Sequence, residues 1–419
     1  MLYLCHVEEL ELISVPLIKK GGIKMSEKWY TMRYETHKWE SKESTPYLSR
    51  KTKSKILSTY DSAIPDTIAN KNIVLPFELD TAISDLIANI SRFDAVQNLK
   101  GYGFPNLLLR SESAASSQIE NLTSSIRNIA LAQINSKAPK NAQVIAANVN
   151  AMYTALNISD SISISSILEI HHTLIKDEQK DYAGVFRNEP VWIGGTSYSP
   201  HNAIFIPPHQ SLINYYLDDL IKYAARIDVN PIVKAAVIHA QFETIHPFID
   251  GNGRTGRTLL HKSLKDDGIL QSVTLPISAG LLNNTDEYMK AILSFQEGDP
   301  IPIITQIAEA IELAINIGHK ASNDVSNIVK RWENTINERK GSSIWKLLYL
   351  VIEQPVISSK YLEDKLKISL RAANKLIDRA IEYGVLKRIG TERRGIFYQS
   401  DEIISVMDMI SRISDIKRL

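Results

Sequence analysis

The chain has little cysteine and almost no net charge. Its 419 residues include a single cysteine, Cys5, so no disulfide can form within the chain, and a reducing compartment fits best. Lys plus Arg number 48 against 47 for Asp plus Glu, which gives a net charge of +1. A protein that binds nucleic acid or membranes mainly by electrostatics would normally show more asymmetry, although a local basic patch is compatible with this balance.

Long hydrophobic runs are also absent. No stretch approaches the roughly 20 apolar residues that a membrane helix needs. The first 20 residues contain Glu8, Glu9 and Glu11 and are too acidic for a signal peptide. Hydrophobic residues make up 44% of the chain and charged residues 23%, the ordinary balance of a globular protein with a core. We therefore expect a cytoplasmic protein of two or three domains with no membrane partner.

Residues 1–75 are predicted to be an N-terminal arm. Residues 26–70 are polar and without clear period, which favours an extended segment wrapped around the body. Met25 follows Gly-Gly-Ile-Lys, and Gly-Gly codons can resemble a bacterial ribosome-binding site, so we hypothesise that Met25 is the native start and that residues 1–24 are not native. The alternative is a short disordered tail. Intact-mass measurement of the native protein distinguishes the two.

Apolar residues recur every three or four positions through most of the chain, which is typical of amphipathic helices. The pattern predicts helices over about 76–99, 111–134, 140–156, 163–175, 209–226, 231–244, 254–267 and 285–320. Short β-like runs at 186–193 and 203–206 flank Gly194-Gly195 and predict a hairpin. The predicted fold is a mainly α helical bundle with one β-hairpin, divided into an N-terminal helical region at 76–160 and a core at 161–320.

Residues 321–419 are predicted to be a linker helix followed by a separate small domain. Three helical patterns after residue 340 precede two β-like runs, 385–389 and 396–398, and this order is typical of a winged helix-turn-helix. DNA binding and protein docking are both open to such a domain. Its basic residues are Arg371, Lys375, Arg379, Lys387, Arg388, Arg393 and Arg394.

One string, HPFIDGNGRTGR at residues 246–257, dominates the sequence. Gly251 and Gly253 leave the backbone uncrowded, so that amide groups can converge on an anion. The helix predicted to begin near Arg254 would point its positive end at the same place. Arg254 and Arg257 are three residues apart and can both reach into the loop. A polyphosphate suits such a site.

Two further side chains of this string suggest the reaction. Asp250 beside a phosphate site is a natural Mg²⁺ ligand, and His246 can accept a proton near neutral pH from a hydroxyl nucleophile. Together they indicate phosphoryl or nucleotidyl transfer. The glycines at 251, 253 and 256 also match the dinucleotide fingerprint GxGxxG, but the preceding segment 233–242 has a helical period, whereas that fingerprint follows a strand.

At this point the sequence resembles the Fic (filamentation induced by cAMP) family of protein adenylyltransferases, whose signature HPFx[D/E]GNGRxxR is matched in full. The resemblance covers about residues 76–320. Gly184-x-Phe186-Arg187 and Phe205-x-Pro207-Pro208 are similar to the family's substrate-binding flap. The family's inhibitory motif [S/T]xxxE[G/N] is matched by residues 116–121, which places this chain with the members that carry an N-terminal inhibitory helix.

The resemblance implies a role for each matched residue. His246 would be the general base, and Asp250 would bind Mg²⁺ between the α- and β-phosphates. Glu120 would pair with Arg257 and keep the γ-phosphate from its productive place, in an inhibitory motif of Ser116, Glu120 and Asn121. Tyr288 would border the adenine, although this chain has Tyr288-Met289 where members often have paired tyrosines. The ATP-binding residues would be Gly251, Asn252, Gly253, Arg254, Thr255, Gly256, Arg257 and Tyr288.

The implied function is transfer of AMP from ATP to a Tyr, Ser or Thr hydroxyl of a protein, of another chain or of this one, with release of pyrophosphate and restraint by Glu120. The flap would receive the target as an added β-strand. Three alternatives stay open: removal of AMP, transfer of another group such as phosphate or phosphocholine, and a nucleotide-sensing regulator that binds DNA through the winged helix. A homodimer is compatible with the sequence.

Overall fold

The structure is a computed structural model that describes residues 29–40, 49, 56–100, 103–135, 137–390 and 395–411. Within these residues the fold is mainly helical, as predicted. The Met25 hypothesis and the basic pair Arg393-Arg394 lie outside the described residues. The helices of the body are α1 (Phe77–Lys100), α2 (Phe104–Ile119), α3 (Ile126–Ala132), α4 (Lys140–Asn157), α5 (Ile164–Ile175), α6 (Ile213–Ala224), α7 (Pro231–Ile245), α8 (Asn252–Asp266), α9 (Ile277–Leu282), α10 (Thr285–Gln296) and α11 (Ile301–Thr335).

Helix α7 runs through the centre of the body. Every residue from Ile232 to Ile245 is buried, including the polar Lys234, His239 and Glu243, which explains why the sequence has no clear amphipathic stripe. Helix α8 packs against it after a short loop, and α6, α10 and α11 also contact it. The predicted helices that become α4, α5, α6, α7 and α8 are confirmed, with ends shifted by a few residues.

The helix predicted over 111–134 is two helices. The chain leaves α2 at Glu120, and Asn121 takes a left-handed conformation with φ of 62°. Ser125 then starts α3 by accepting a hydrogen bond from the Asn128 N–H. Apolar spacing continues across the break, so periodicity alone could not locate it. The consequence is that Glu120 lies at the end of a helix, next to a sharp turn.

The helix predicted over 285–320 is also two helices, α10 and α11, separated at Gly298, whose φ is 98°, and Pro300. Helix α11 continues to Thr335 and so crosses the predicted domain boundary at 320. By length and composition α11 could cross a membrane, with a mean hydropathy of 1.3 over its most apolar window. More than half of that window is buried inside the protein, as in the core helix of a globular fold.

Residues 26–70 are not simply an extended arm, because part of them forms a hairpin. Strands β1 (Arg33–Lys38) and β2 (Thr59–Ile64) pair antiparallel, with Arg33 opposite Ile64 and Lys38 opposite Thr59. Twenty residues separate the strands, so no tight turn marks the hairpin in the sequence. Farther along, Asp219 of α6 accepts hydrogen bonds from the Ile68 and Ala69 N–H groups and fixes this segment to the body.

The hairpin predicted at 186–206 is reduced to two isolated bridges, Ile193 with Phe205 and Thr196 with Ser199. We call residues 191–206 the flap. Gly194 and Gly195 both have φ of 75°, a left-handed conformation that does not occur in regular strands. A Cβ on Gly195 would lie 2.6 Å from the Asn202 carbonyl oxygen, so the two sides of the flap approach closely here. Strand β2 supports the flap, since the Ala63 N–H donates to the Ile206 carbonyl over 2.9 Å.

Residues 343–411, the C-terminal unit, follow α11. Their helices are α12 (Ser343–Glu353), α13 (Ser359–Leu366), α14 (Leu370–Glu382) and α15 (Asp401–Ser411), and their strands are β3 (Val356–Ser358), β4 (Lys387–Ile389) and β5 (Phe397–Gln399). The sheet is antiparallel in the order β3-β5-β4. Strand β3, three residues long, was not predicted. Helices α12 and α15 pack on α2, so this unit is continuous with the body rather than separate.

Candidate functional site

The site forms where α7 ends and α8 begins. His246 closes α7 in a left-handed conformation with φ of 48°, and Gly251 precedes α8 with φ of 78°. The side chain of Asn252 ties the intervening loop together, because it accepts from the Phe248 N–H and donates to the Phe248 carbonyl, both over 2.9 Å. Phe248 is fully buried and stacks on His171 with ring centroids 3.5 Å apart. These contacts fasten the loop to itself and to α5.

Arg187, just before the flap, holds the end of α7. Its guanidinium donates to the His246 carbonyl over 2.8 Å and also to the carbonyls of Pro208 and Ile245. The Ile245 and His246 carbonyls lie at the end of α7, where a helix leaves carbonyls without partners. Burial lowers the pKa of Arg187 to about 10. The sequence placed Arg187 only in the flap pattern, and its contact with the histidine loop is a finding of the structure.

The His246 side chain is one-fifth exposed, at the mouth of the site. Its Nδ1 lies 3.3 Å from the Glu243 carbonyl oxygen, and that contact fits a ring whose Nε2 is the free, basic nitrogen. Burial, followed by the positive charge of Arg187, lowers the pKa of His246 to about 4. The imidazole is consequently neutral at physiological pH, the state in which it can accept a proton.

The N-terminus of α8 forms the floor of the site. The N–H groups of the first helical turn have no partner within the helix and carry the positive end of its dipole. Gly253 lies in this turn, and a Cβ there would collide with the Glu120 carboxylate. The carboxylate therefore lies against the helix end at the place where an anionic ligand would be attracted.

Two arginines of α8 hold the same carboxylate. Glu120 Oε2 lies 3.0 Å from Arg254 Nε, and Glu120 Oε1 lies 2.7 Å from Arg257 Nη2. Arg257 also donates to Ser116, from Nε to Oγ over 2.8 Å and from Nη2 to the carbonyl over 2.9 Å. Both arginines are almost fully buried. Burial alone would lower the pKa of Arg257, but the Glu120 carboxylate, together with Tyr288 and Glu243, outweighs it and holds that pKa above its ordinary value.

Asp250 lies on the rim, with its side chain 45% exposed. Its Oδ1 accepts from the Gly251 N–H over 2.6 Å and its Oδ2 from Gln179 Nε2 over 2.8 Å. The described residues contain no cluster of three or more His, Cys, Asp or Glu side chains that could hold a metal. One exposed carboxylate beside an anion site nonetheless fits Mg²⁺, which is commonly held by one or two carboxylates together with substrate phosphates.

Tyr288 lies behind the arginines. It is 2% exposed, and its hydroxyl lies 2.8 Å from His239 Nε2. Burial raises the pKa of Tyr288 and lowers that of His239 to about 3, so both are neutral. Glu243 lies in the same interior, where burial raises its pKa to about 7. The contact of Tyr288 with an adenine stays a prediction.

The remaining residues of the predicted ATP site and inhibitory motif lie in the interior or in a turn, where they contribute to packing and chain direction. Thr255 is fully buried, and a Cβ on Gly256 would lie 2.7 Å from Glu243 Oε1, so Gly256 permits the close approach of α7 and α8. Asn121 makes the turn after α2. The structure thus brings His246, Asp250, Arg254, Arg257, Ser116 and Glu120 to one site, whereas Glu178, Gln179, Arg187 and Glu243 were not predicted to belong to it.

Comparison with known proteins identifies what the chain is similar to. Residues 161–264 match the model of the Fic/DOC family, and the chain therefore carries a Fic domain. The protein adenylyltransferase fic-1 of Caenorhabditis elegans is 29% identical over 159 residues, which are 37% of this chain and 28% of that protein. The protein adenylyltransferase Fic of Aedes aegypti is 26% identical over 179 residues, 42% and 33% of the two chains. This chain thus spans about a third or less of these relatives.

A solved structure supports the fold over a longer stretch. The crystal structure of a Fic family protein from Desulfovibrio desulfuricans G20 superposes with a TM-score of 0.50 and 22% identity, covering 78% of this chain and 97% of that one. The mainly helical architecture is that of a Fic fold.

Proposed function

We propose that this Fic-domain protein is a protein adenylyltransferase, which transfers AMP from ATP to a protein hydroxyl and is restrained by its own Glu120. The observation that carries the proposal is the convergence of a neutral histidine, a helix N-terminus and two buried arginines on one small space, which an acidic side chain occupies. The names of the curated relatives, all protein adenylyltransferases, support the same reaction.

In this mechanism the phosphates of ATP lie against the N-terminus of α8, with Arg254 and Arg257 neutralising their charge. His246 Nε2 takes the proton of the target hydroxyl as its oxygen attacks the α-phosphorus. A bond from that oxygen to phosphorus forms, the bond to the bridging oxygen breaks, and pyrophosphate leaves. Asp250 would hold Mg²⁺, which when bound supplies positive charge to the phosphates.

Glu120 restrains the reaction because it competes for the positive groups that ATP needs. Its carboxylate already pairs with both arginines and covers Gly253 at the helix end. A phosphate must displace it or bind beside it in a less favourable position. The restraint is therefore electrostatic as well as steric. A neutral side chain at 120 would remove the electrostatic part, and loss of the side chain would remove both parts.

The test is mass spectrometry of the purified chain after incubation with ATP and Mg²⁺. Glu120→Gly should gain about 329 Da, the mass of one AMP group, and the original chain should gain little. Glu120→Gly combined with His246→Ala should gain none, because the base is missing. If Glu120→Gly binds ATP but gains no mass on itself or on added lysate proteins, AMP transfer is contradicted. Loss of AMP from an AMP-modified protein would then favour the removal reaction.

We further infer that the C-terminal unit is a winged helix, since α13 and α14 follow one another as in a helix-turn-helix and β3, β4 and β5 form one antiparallel sheet beside them. The exposed side of α14 carries Arg371 and Lys375. Contact of this face with the phosphates of DNA would make binding fall steeply with salt. Fluorescence anisotropy of a labelled duplex with the original chain and with Arg371→Ala/Lys375→Ala tests this; equal affinities would favour protein docking.

A further inference from the structure

The turn that follows α5 brings two side chains into the site that lie outside the HPFx[D/E]GNGRxxR signature. Gln179 donates from Nε2 to Asp250 Oδ2 over 2.8 Å. The preceding residue, Glu178, has its Oε1 3.6 Å from Arg254 Nη1. These two neighbours therefore contact the carboxylate expected to hold the metal and an arginine expected to hold phosphate.

Gln179 limits how the Asp250 carboxylate can turn. One oxygen of that carboxylate accepts from the Gly251 backbone and the other from Gln179, so the group is fixed from two sides. Each carboxylate oxygen can accept more than one partner, and both remain able to bind a cation. A partner that hydrogen-bonds to a metal-binding carboxylate orients it, and its loss typically lowers metal affinity about 10- to 100-fold.

Glu178 acts on Arg254 by charge. Arg254 Nη1 is buried and makes no hydrogen bond to any part of the chain that the structure describes, while Glu178 lies slightly too far away to accept one. The Glu178 side chain is 22% exposed and has solvent to move into. Such a carboxylate offsets the arginine's charge while no anion is bound and opposes an incoming phosphate.

We propose that Gln179 and Glu178 are positioning residues of the nucleotide site: Gln179 orients Asp250 toward the metal, and Glu178 holds Arg254 until a phosphate replaces it. This inference rests on the proposed function, because it takes a metal–nucleotide complex as the ligand. It assigns the turn after α5 a part in ATP affinity in addition to that of Glu120.

The test of Gln179 is calorimetric titration of ATP into Glu120→Gly, in EDTA and in Mg²⁺, which needs no turnover. Adding Gln179→Leu should leave the Kd in EDTA unchanged within about twofold and shrink the gain in affinity from Mg²⁺ about tenfold. Gln179→Met, which keeps the length of the side chain, should behave alike. Asp177→Asn, at an exposed position two residues away, is the control and should keep the full gain.

The test of Glu178 uses the same titration. Adding Glu178→Gln to Glu120→Gly should tighten the Kd for ATP in EDTA about fivefold, and Asp177→Asn should not. The tightening should vanish when Arg254→Gln is also present, because the effect passes through that arginine.

An unchanged Mg²⁺ gain in both Gln179 variants overturns the role of Gln179. Equal Kd values for Glu178→Gln and Asp177→Asn, or a tightening that survives Arg254→Gln, overturn the role of Glu178. Either result leaves ATP binding, and with it the proposed function, standing. Absence of any ATP binding by Glu120→Gly overturns the proposed function and this inference together.

Discussion

The carboxylate of Glu120 is the side chain on which the state of this site depends. It lies at the C-terminal end of α2, where the turn at Asn121 directs the chain away, and it reaches two arginines on a different helix. Truncating one partner of a buried ion pair leaves the other charge uncompensated. Glu120→Gly should therefore lower the free energy of unfolding while it frees the site. Both effects come from loss of the ion pairs with Arg254 and Arg257.

The rate of AMP transfer should fall in acid only at a pH well below the ordinary pKa of histidine. Burial disfavours the imidazolium form of His246 and lowers its pKa to about 4, so the base stays neutral as the pH falls through 6. We expect the rate of AMP transfer by Glu120→Gly, followed from about pH 8 to pH 4, to halve near pH 4. Initial rates measured across this range check it.

A rate that halves near pH 6.5 would contradict the burial argument for His246. Unfolding has to be followed in parallel, because His171 and His239 are also buried, with pKa values lowered to about 4 and about 3. Their contribution to stability is complete above the unfolded pKa of about 6.5 and is lost as the pH falls toward those folded values. Circular dichroism at each pH separates loss of the base from loss of the fold.

The loop at 246–257 could be predicted from sequence because its residues are neighbours in the chain. Gln179, Glu178 and Arg187 could not, since they reach the loop across 59 or more positions, and nothing local in the sequence states that contact. The only signal for Arg187 in the sequence was its place in the pattern Gly184-x-Phe186-Arg187. That pattern does not say which groups the arginine binds.

At the scale of elements, the β1–β2 hairpin and the flap form one continuous structure. Trp39 follows β1 and packs edge-on against Trp192 of the flap, with ring centroids 5.6 Å apart. His201 of the flap lies 2.9 Å from the Thr59 carbonyl of β2. The flap has little regular structure of its own, so these contacts from the N-terminal segment determine its position.

Trp39→Ala should loosen the flap. The side chain is 9% exposed, and its loss should cost about 3 kcal/mol of unfolding free energy if the fold is cooperative. Hydrogen exchange of residues 191–206 should rise, whereas exchange in α7 should rise only in proportion to global stability. Tyr34→Ala, at a position 65% exposed on the same hairpin, is the matched control. Equal flap protection in both variants would contradict the support by Trp39.

Helices with a clear apolar period were predicted with nearly correct ends, and the β-like runs at 385–389 and 396–398 contain or overlap β4 and β5. The helix breaks and strands β1, β2 and β3 were not predicted. The end of α2 depends on the left-handed turn at Asn121, which the continuing apolar spacing concealed. The pairing of β1 with β2 joins segments 20 residues apart, and β3 is three residues long. The spacing of apolar residues within a segment does not predict a strand whose stability comes from pairing with a distant segment.

At the scale of the whole molecule, helix α2 lies between the body and the C-terminal unit. Helix α2 contacts α9 and α4 of the body and α12 and α15 of the C-terminal unit. Gln354, just after α12, donates to the Ala130 carbonyl of α3 over 2.7 Å. A movement of the C-terminal unit would therefore change the packing of α2, the helix that carries Ser116.

A chain ending at Ser400 should show the importance of that packing. It lacks α15, whose buried residues include Ile403, Met407 and Ile410, and so leaves part of α2 uncovered. We expect faster hydrogen exchange in α2 and, with ATP and Mg²⁺, more self-modification than in the full chain. Exchange in α5, which α15 does not cover, is the internal control. Unchanged exchange in α2 would show that α15 is dispensable for the restraint.

Because Glu120 belongs to the same chain as the arginines it blocks, its effective concentration is set by the fold and not by how much protein is present. Dilution cannot relieve such a restraint, and a nanomolar protein is held as firmly as a millimolar one. Under the proposed function, a signal that relieves the restraint must then act on geometry, by turning the end of α2 away from α8. A separate inhibitor could be removed by dilution or by a competing partner, whereas a side chain of the same protein cannot.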